Sequence, residues 1–239
     1  MADQTSFEER LQSVRERIAA AALRTGRDAT GIRMIAVSKG QPAEAVQAAF
    51  SAGLREFGEN YLEEAEPKIR LLDPSITWHM IGHLQSRKAK VAAIRFPWIH
   101  SIDSLALARR LSRFAADAGK KIAILLECNV TGEASKSGFP AAESASWDGL
   151  IREWEQILPL PGLAVAGLMT MAPYSENPET SRPVFRRLRE LGERARRDLP
   201  QIAWRELSMG MSDDFEQAVE EGATMLRIGR ALFGPRRAA

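Results

Sequence analysis

A single cysteine, Cys128, stands in the 239-residue chain. No intrachain disulfide can form, and a reducing compartment is the expected setting. Long apolar runs are missing too. No stretch approaches the roughly 18 residues of a membrane span, and the opening "MADQTSFEERLQSV" carries too much charge for a secretion signal. A cytoplasmic protein is therefore expected. Charge of one sign is scarce, with a formal net of +2. Basic residues crowd only into "RPVFRRLRELGERARRDL", where Glu190 and Glu193 interrupt them. This reads as the solvated face of a helix and not as a nucleic-acid surface. Histidines number three and tyrosines two. His79 and His83 have metal spacing only on a helix, whereas "TWHMIGH" reads as a strand entering a loop. Positions four apart on a strand do not chelate one ion comfortably, so no metal site is expected. "NVT" at Asn129 fits a glycosylation sequon of no consequence in a cytoplasmic protein.

What is present is ordinary globular composition, 45% hydrophobic and 27% charged, arranged in a regular alternation. Ser6 followed by Glu9 is a capping box. Behind it Phe7, Leu11, Val14 and Ile18 mark one face of an opening helix. Eight segments then read as strands: Arg33–Val37, Arg55–Gly58, Thr77–Ile81, Trp98–Ile102, Ile122–Asn129, Ala164–Met169, Glu206–Ser208 and Met225–Ile228. Helical patterns separate most of them, over Pro42–Phe50, Tyr61–Leu72, Ser86–Ile94, Ser104–Ala118, Ser146–Leu158, Pro178–Leu199 and Asp213–Glu221. No linker or composition shift divides the chain. The alternation predicts an α/β protein built as a single (β/α)8 barrel over residues 1–239, with an extra helix at the N-terminus. The rival is a doubly wound open sheet. The strand count and the lack of a glycine fingerprint after the first strand favour the barrel.

That fold gives meaning to "MIAVSKGQP", residues 34 to 42. Lys39 follows an apolar strand at once, and in such barrels the strands' C-terminal ends form the functional face. A lysine there is either a snorkelling rim residue or an amine held in a partly dry pocket. Desolvation favours the neutral amine, which can attack a carbonyl to form a Schiff base. Near the other end, "ELSMGMSDDFEQAV" is a strand, a small-residue turn and a helix start bearing Asp213 and Asp214. Ser208 offers a hydroxyl, and Gly210 allows close backbone approach. "MLRIGRALFG" runs from a strand into a glycine turn, where backbone N–H groups at Gly229 and Arg230 would face an anion. Two such turns after the seventh and eighth strands are where this fold commonly binds phosphate. A phosphate there and a carbonyl at Lys39 describe pyridoxal 5′-phosphate.

The ordered motifs "AVSKG", "FGENYLEEAEPK", "WHMIGHLQSRKAK", "HSIDS", "CNVTGEASKSGF", "GLMTM" and "LSMGMSDDFEQAVEEGATMLRIGRALFG" span nearly the whole chain. On them the sequence resembles the YggS/PROSC family of pyridoxal-phosphate-binding proteins, the pyridoxal phosphate homeostasis proteins. The resemblance implies a barrel like the N-terminal domain of alanine racemase. It implies that Lys39 carries the cofactor and that Arg227 faces the pyridine nitrogen. Ser208, Gly229 and Arg230 would form the phosphate cup, with Asn60 and His83 lining the pocket and Met209 also counted among the cofactor-binding residues. It further implies a monomer that buffers pyridoxal phosphate or delivers it to apo-enzymes as transient recipients, without catalysis of its own. A racemase-like enzyme of the same cofactor is the alternative, and a cofactor-free Schiff-base aldolase a third class. Two departures stand out. "SKGQP" replaces the family's "SKTK" or "SKTV". Arg230 stands where many members have threonine or a small residue, which puts only its side-chain role in question. Cys128 reads as a small buried hydrophobe, and Lys136 in "SKSG" as a solvated loop lysine on the functional side, with a transient cofactor contact as the other reading.

Overall fold

The computed structural model describes residues 5–142 and 147–235. Its strands are β1 (Arg33–Val37), β2 (Glu56–Glu59), β3 (Thr77–Met80), β4 (Trp98–Ile102), β5 (Ile122–Asn129), β6 (Phe139–Pro140), β7 (Leu163–Met169), β8 (Glu206–Ser208) and β9 (Met225–Ile228). All except β6 form the barrel. Their order, β4-β3-β2-β1-β9-β8-β7-β5, is closed by a β4–β5 pairing, and β6 pairs only with β5. Every neighbouring pair is parallel, as in the Val37↔Gly58 and Ile35↔Arg227 registers that flank β1. The seventh and eighth strands read from the sequence are thus β8 and β9.

The helices are α1 (Phe7–Arg24), α2 (Ala43–Ser51), α3 (Leu62–Leu71), α4 (Ala89–Arg95), α5 (Leu105–Asp117), α6 (Trp147–Ile157), α7 (Arg182–Asp198), α8 (Phe215–Glu220) and α9 (Arg230–Phe233). α1 is the extra N-terminal helix. Its capping box is complete, with Ser6 Oγ accepting the Glu9 N–H and the Glu9 carboxylate accepting the Ser6 N–H. Its buried stripe of Leu11, Val14, Ile18, Ala21 and Ala22 lies against α8 and α9.

Several boundaries differ from the sequence reading for local reasons. β2 begins one residue late, at Glu56, and the Arg55 guanidinium before it folds back over the Phe50 ring and donates to the Phe50 and Leu54 carbonyls. The helix predicted from Pro178 begins as a 3-10 turn over Pro178–Ser181, capped by the Asn177 side chain, before α7 starts. α8 starts only at Phe215, since the Asp214 carboxylate accepts the Met211 N–H and closes the preceding turn instead. Ser146, the predicted start of α6, lies outside the described residues.

Strand alternation sorts the side chains into two compartments. Ala36, Phe57, Trp78, Ile99, Leu168, Leu226 and Ile228 face outward into the layer under the helices, where most of the apolar core lies. Ile35, Leu125, Met169 and Met225 form a small apolar cluster inside the barrel. Arg227 lies two residues beyond Met225 on β9, on the same inward face, and His100 lies two beyond Trp98 on β4. The barrel interior is therefore partly polar.

Candidate active site

The residues Ile35 and Val37 share the inward parity of β1, and Lys39 continues it just past the strand's end. Val37 pairs with Gly58 on β2, and Asn60 follows the end of that neighbouring strand. Lys39 is half-buried. It lines a cavity of about 310 Å³ together with Val37, Gln41, Gly229, Arg230, Gly234 and Pro235, a size within the usual range of small-molecule sites. The amine and the glycine turn after β9, though nearly 200 residues apart in sequence, thus share one cavity. The turn itself is organised by Ser212, whose Oγ accepts the Gly229 N–H at 3.3 Å and the Ala231 N–H at 3.1 Å. Gly210 is required two residues earlier. Its φ is +90°, and a Cβ there would come within 2.5 Å of the Ala218 Cβ.

The other expected site residues are placed differently. Ser208 is fully buried and does not line the cavity. Its Oγ accepts from Arg227 Nη1 at 2.6 Å and lies 2.9 Å from His100 Nδ1. Met209 is fully buried in the layer under the helices. Arg230 is exposed and directs its guanidinium to the Asp213 carboxylate. His83 is exposed, with Nδ1 3.3 Å from the Asp103 carboxylate, whereas His79 is buried inside the barrel. The two histidines therefore occupy separate environments. Asn60 is half-buried, and its Oδ1 has no partner among the described residues. Ser212, the hydroxyl that holds the turn, was passed over in the sequence. The signal was present as the second serine of "SMGMS", where the chain has to return toward β9.

Arg227 is 4% exposed. Besides Ser208, it donates from Nη2 to the Thr170 carbonyl at 2.9 Å. Burial pulls its pKa down to about 10 against the pull of Asp214 and Glu127, so it stays a cation at neutral pH. A line of polar groups runs away from it across the barrel. His100 Nε2 lies 3.0 Å from His79 Nδ1. His79 Nε2 lies 3.6 Å from Glu56, too far for a direct hydrogen bond. Burial holds both imidazoles well below their ordinary pKa, so both are neutral. An arginine can only donate. Ser208 therefore spends a lone pair on Arg227 and has its own proton to give to His100 Nδ1. That order leaves both rings protonated at Nε2, the tautomer expected in 15N-resolved spectra of the imidazoles.

Across the barrel mouth from β1, the end of β5 forms a second cavity of about 200 Å³ with Glu127, Asn129, Lys136 and Thr170 among its walls. Lys136 Nζ donates to the Met171 carbonyl at 3.2 Å and pairs with Glu133 at 3.4 Å. Glu127 is buried, and burial together with the Asp103 charge raises its pKa to about 7. The folded state thus holds a proton that the unfolded chain has released, so Glu127 costs stability progressively as pH rises from about 4.5 to 7. Glu127→Gln is expected to change stability little near pH 4 and to raise it by about 1–3 kcal/mol near pH 8, as measured by chemical denaturation at both values.

An alanine-racemase type of barrel is the class that this fold defines: residues 10–237 match the family model described as "Alanine racemase, N-terminal domain". The chain belongs, within that class, to the pyridoxal phosphate homeostasis protein family. It is 42% identical over 233 residues to the pyridoxal phosphate homeostasis protein of Pseudomonas aeruginosa, covering 97% of this chain and 96% of that one. It is 41% identical to that of Aquifex aeolicus, covering 96% and 98%. Among solved structures, PipY of Synechococcus elongatus with pyridoxal phosphate bound superposes with a TM-score of 0.82 at 37% identity, over 96% of this chain and 100% of that one. An alanine racemase of Clostridium difficile shares the fold, with a TM-score of 0.70 at 13% identity, and this chain covers 56% of it.

Proposed function

We propose that this protein binds pyridoxal 5′-phosphate through a Schiff base to Lys39 and takes part in intracellular vitamin B6 homeostasis, holding the cofactor and handing it to apo-enzymes without catalysis of its own. The observation that carries this reading is the shared cavity of Lys39 and Gly229. An amine at one wall and backbone N–H groups at the other suit a ligand with a carbonyl and an anion. The relatives' names and the ligand in PipY agree with it. The glycine turn after β9 faces the phosphate, and the Ser212 hydroxyl, whose oxygen accepts the Gly229 and Ala231 N–H groups, keeps its own proton to donate to it. This moves the role expected of Ser208 to Ser212, because the Ser208 hydroxyl is committed to Arg227 and His100. Asn60, just past the end of the neighbouring strand β2, offers its amide to the ring substituents.

Arg227 acts from the barrel interior. The bound cofactor supplies an electron-withdrawing ring, and a permanent cation near the ring nitrogen disfavours its protonation. Such a ring is a poorer electron sink, which suits a carrier. A visible spectrum of the purified protein before and after borohydride, followed by peptide mapping, tests the reading. A yellow band that borohydride bleaches, with label on Lys39, is expected; label on another lysine overturns it. Ser212→Ala is expected to weaken binding by about 1–2 kcal/mol through the lost phosphate contact, measured by equilibrium dialysis.

A further inference from the structure

Lys39 sits between two residues that are both tied to one face of α3. Glu64 and Lys68 are one helical turn apart on that helix. On one side of Lys39, the Gly40 N–H donates to Glu64 Oε2 at 2.7 Å. On the other, Lys68 Nζ donates to the Ser38 carbonyl at 2.8 Å and to Glu59 Oε1 at 2.6 Å. Ser38 Oγ donates to the same Glu59 oxygen at 2.7 Å, and the Ser38 N–H donates to the Gly58 carbonyl at 3.0 Å. Gly40 adopts φ +71°, which lets its N–H turn toward α3 immediately after the lysine.

This arrangement is costly. Lys68 and Glu59 are 7% and 0% exposed, and Glu59 Oε2 has no partner among the described residues. A buried ion pair is a poor source of stability compared with well-packed apolar side chains of the same volume. What the pair supplies is a fixed position for the Ser38 peptide, as Glu64 does for the Gly40 peptide. We infer that Lys68 and Glu64 are positioning residues for the Lys39 amine, clamping the backbone on either side so that the amine enters the cavity in one orientation. The inference rests on the reading of Lys39 as the Schiff-base lysine. It adds two residues outside the cavity that govern the carbonyl step and not the phosphate step. Misplacing a reacting group by an ångström costs far more than the same shift costs ordinary binding.

The test compares two ligands on the full chain: pyridoxal 5′-phosphate, and pyridoxine 5′-phosphate, which lacks the aldehyde. Lys68→Met and Glu64→Ala are each expected to lower affinity for the aldehyde by roughly tenfold and to leave the alcohol within about twofold of wild type. Glu64→Gln, which keeps the acceptor oxygen, is expected to restore the aldehyde affinity. Parallel losses for both ligands, or no loss for either, overturn the clamp. If Lys68→Met does not fold, Glu64→Ala, at the half-buried position, carries the comparison. A second readout needs no cofactor. After reductive 13C-methylation of the ligand-free protein, the Lys39 resonance is expected to shift or broaden in the clamp variants, and an unchanged signal overturns the inference. Borohydride mapping of the wild type separates the two ideas. Label away from Lys39 refutes the reading of the site, whereas label on Lys39 with unchanged ligand ratios refutes the clamp alone.

Discussion

Lys39→Ala is expected to abolish the visible band of the holo-protein while leaving detectable, non-covalent binding of pyridoxal 5′-phosphate. In the proposed binding mode the band belongs to the linkage between the cofactor's carbonyl and the amine, so it would not survive loss of the amine. Residual binding follows from the far wall of the cavity. The turn of Gly229 and Arg230 lines it, and behind that turn Ser212 Oγ accepts the Gly229 and Ala231 N–H groups and keeps its own proton to donate. Two or three charge-assisted hydrogen bonds at roughly 1.5–3 kcal/mol each, with ring contacts, approach the ~8 kcal/mol of micromolar affinity. Spectral titration and equilibrium dialysis measure the two parts separately. A band of undiminished intensity in the variant refutes the assignment of Lys39. Complete loss of binding, with the fold intact, refutes the phosphate wall.

Much of this arrangement was legible in the sequence because it depends on short-range signals. The barrel followed from strand patterns repeating with helices between them, and Lys39 stood out as a charge directly after an apolar run. Gly229 was readable as a turn glycine between a strand and a helical turn. What escaped was inside the barrel. Ser208, His100 and His79 lie on three strands far apart in sequence. Only closure of the sheet brings their side chains together, and nothing local marks a serine on β8 as a partner of an arginine on β9. Glu64 and Lys68 escaped for another reason. Opposite charges four apart on a helix are an ordinary surface pattern, and only the path of the Ser38–Gly40 backbone brings these two against it. His83 shows the converse. Its motif matched the family's pocket, yet its ring is exposed beside Asp103.

Holo-protein incubated with L-alanine in D2O is expected to incorporate deuterium at Cα only slowly and to retain optical activity. Racemisation requires a proton to leave one face of the substrate and arrive at the other, with a group of suitable pKa within hydrogen-bond reach on each side. Lys39, released when an amino acid takes its place, serves one face. For the other, the two tyrosines are 56% and 79% exposed at Tyr61 and Tyr174, and neither ring is held in the cavity. His83 is turned to solvent. Glu127 has a suitable pKa, about 7, but it stands at the end of β5, which the strand order sets diametrically opposite β1, in the wall of the other cavity. Lacking a placed second base costs about 10²–10⁴ in rate, and in the proposed binding mode the Arg227 cation would weaken the electron sink further. Rapid exchange with loss of optical activity, abolished by Lys39→Ala, refutes the carrier reading in favour of a racemase. Loss of that exchange in Glu127→Gln as well would identify Glu127 as the second base and show that the two cavities act as one site when substrate is bound.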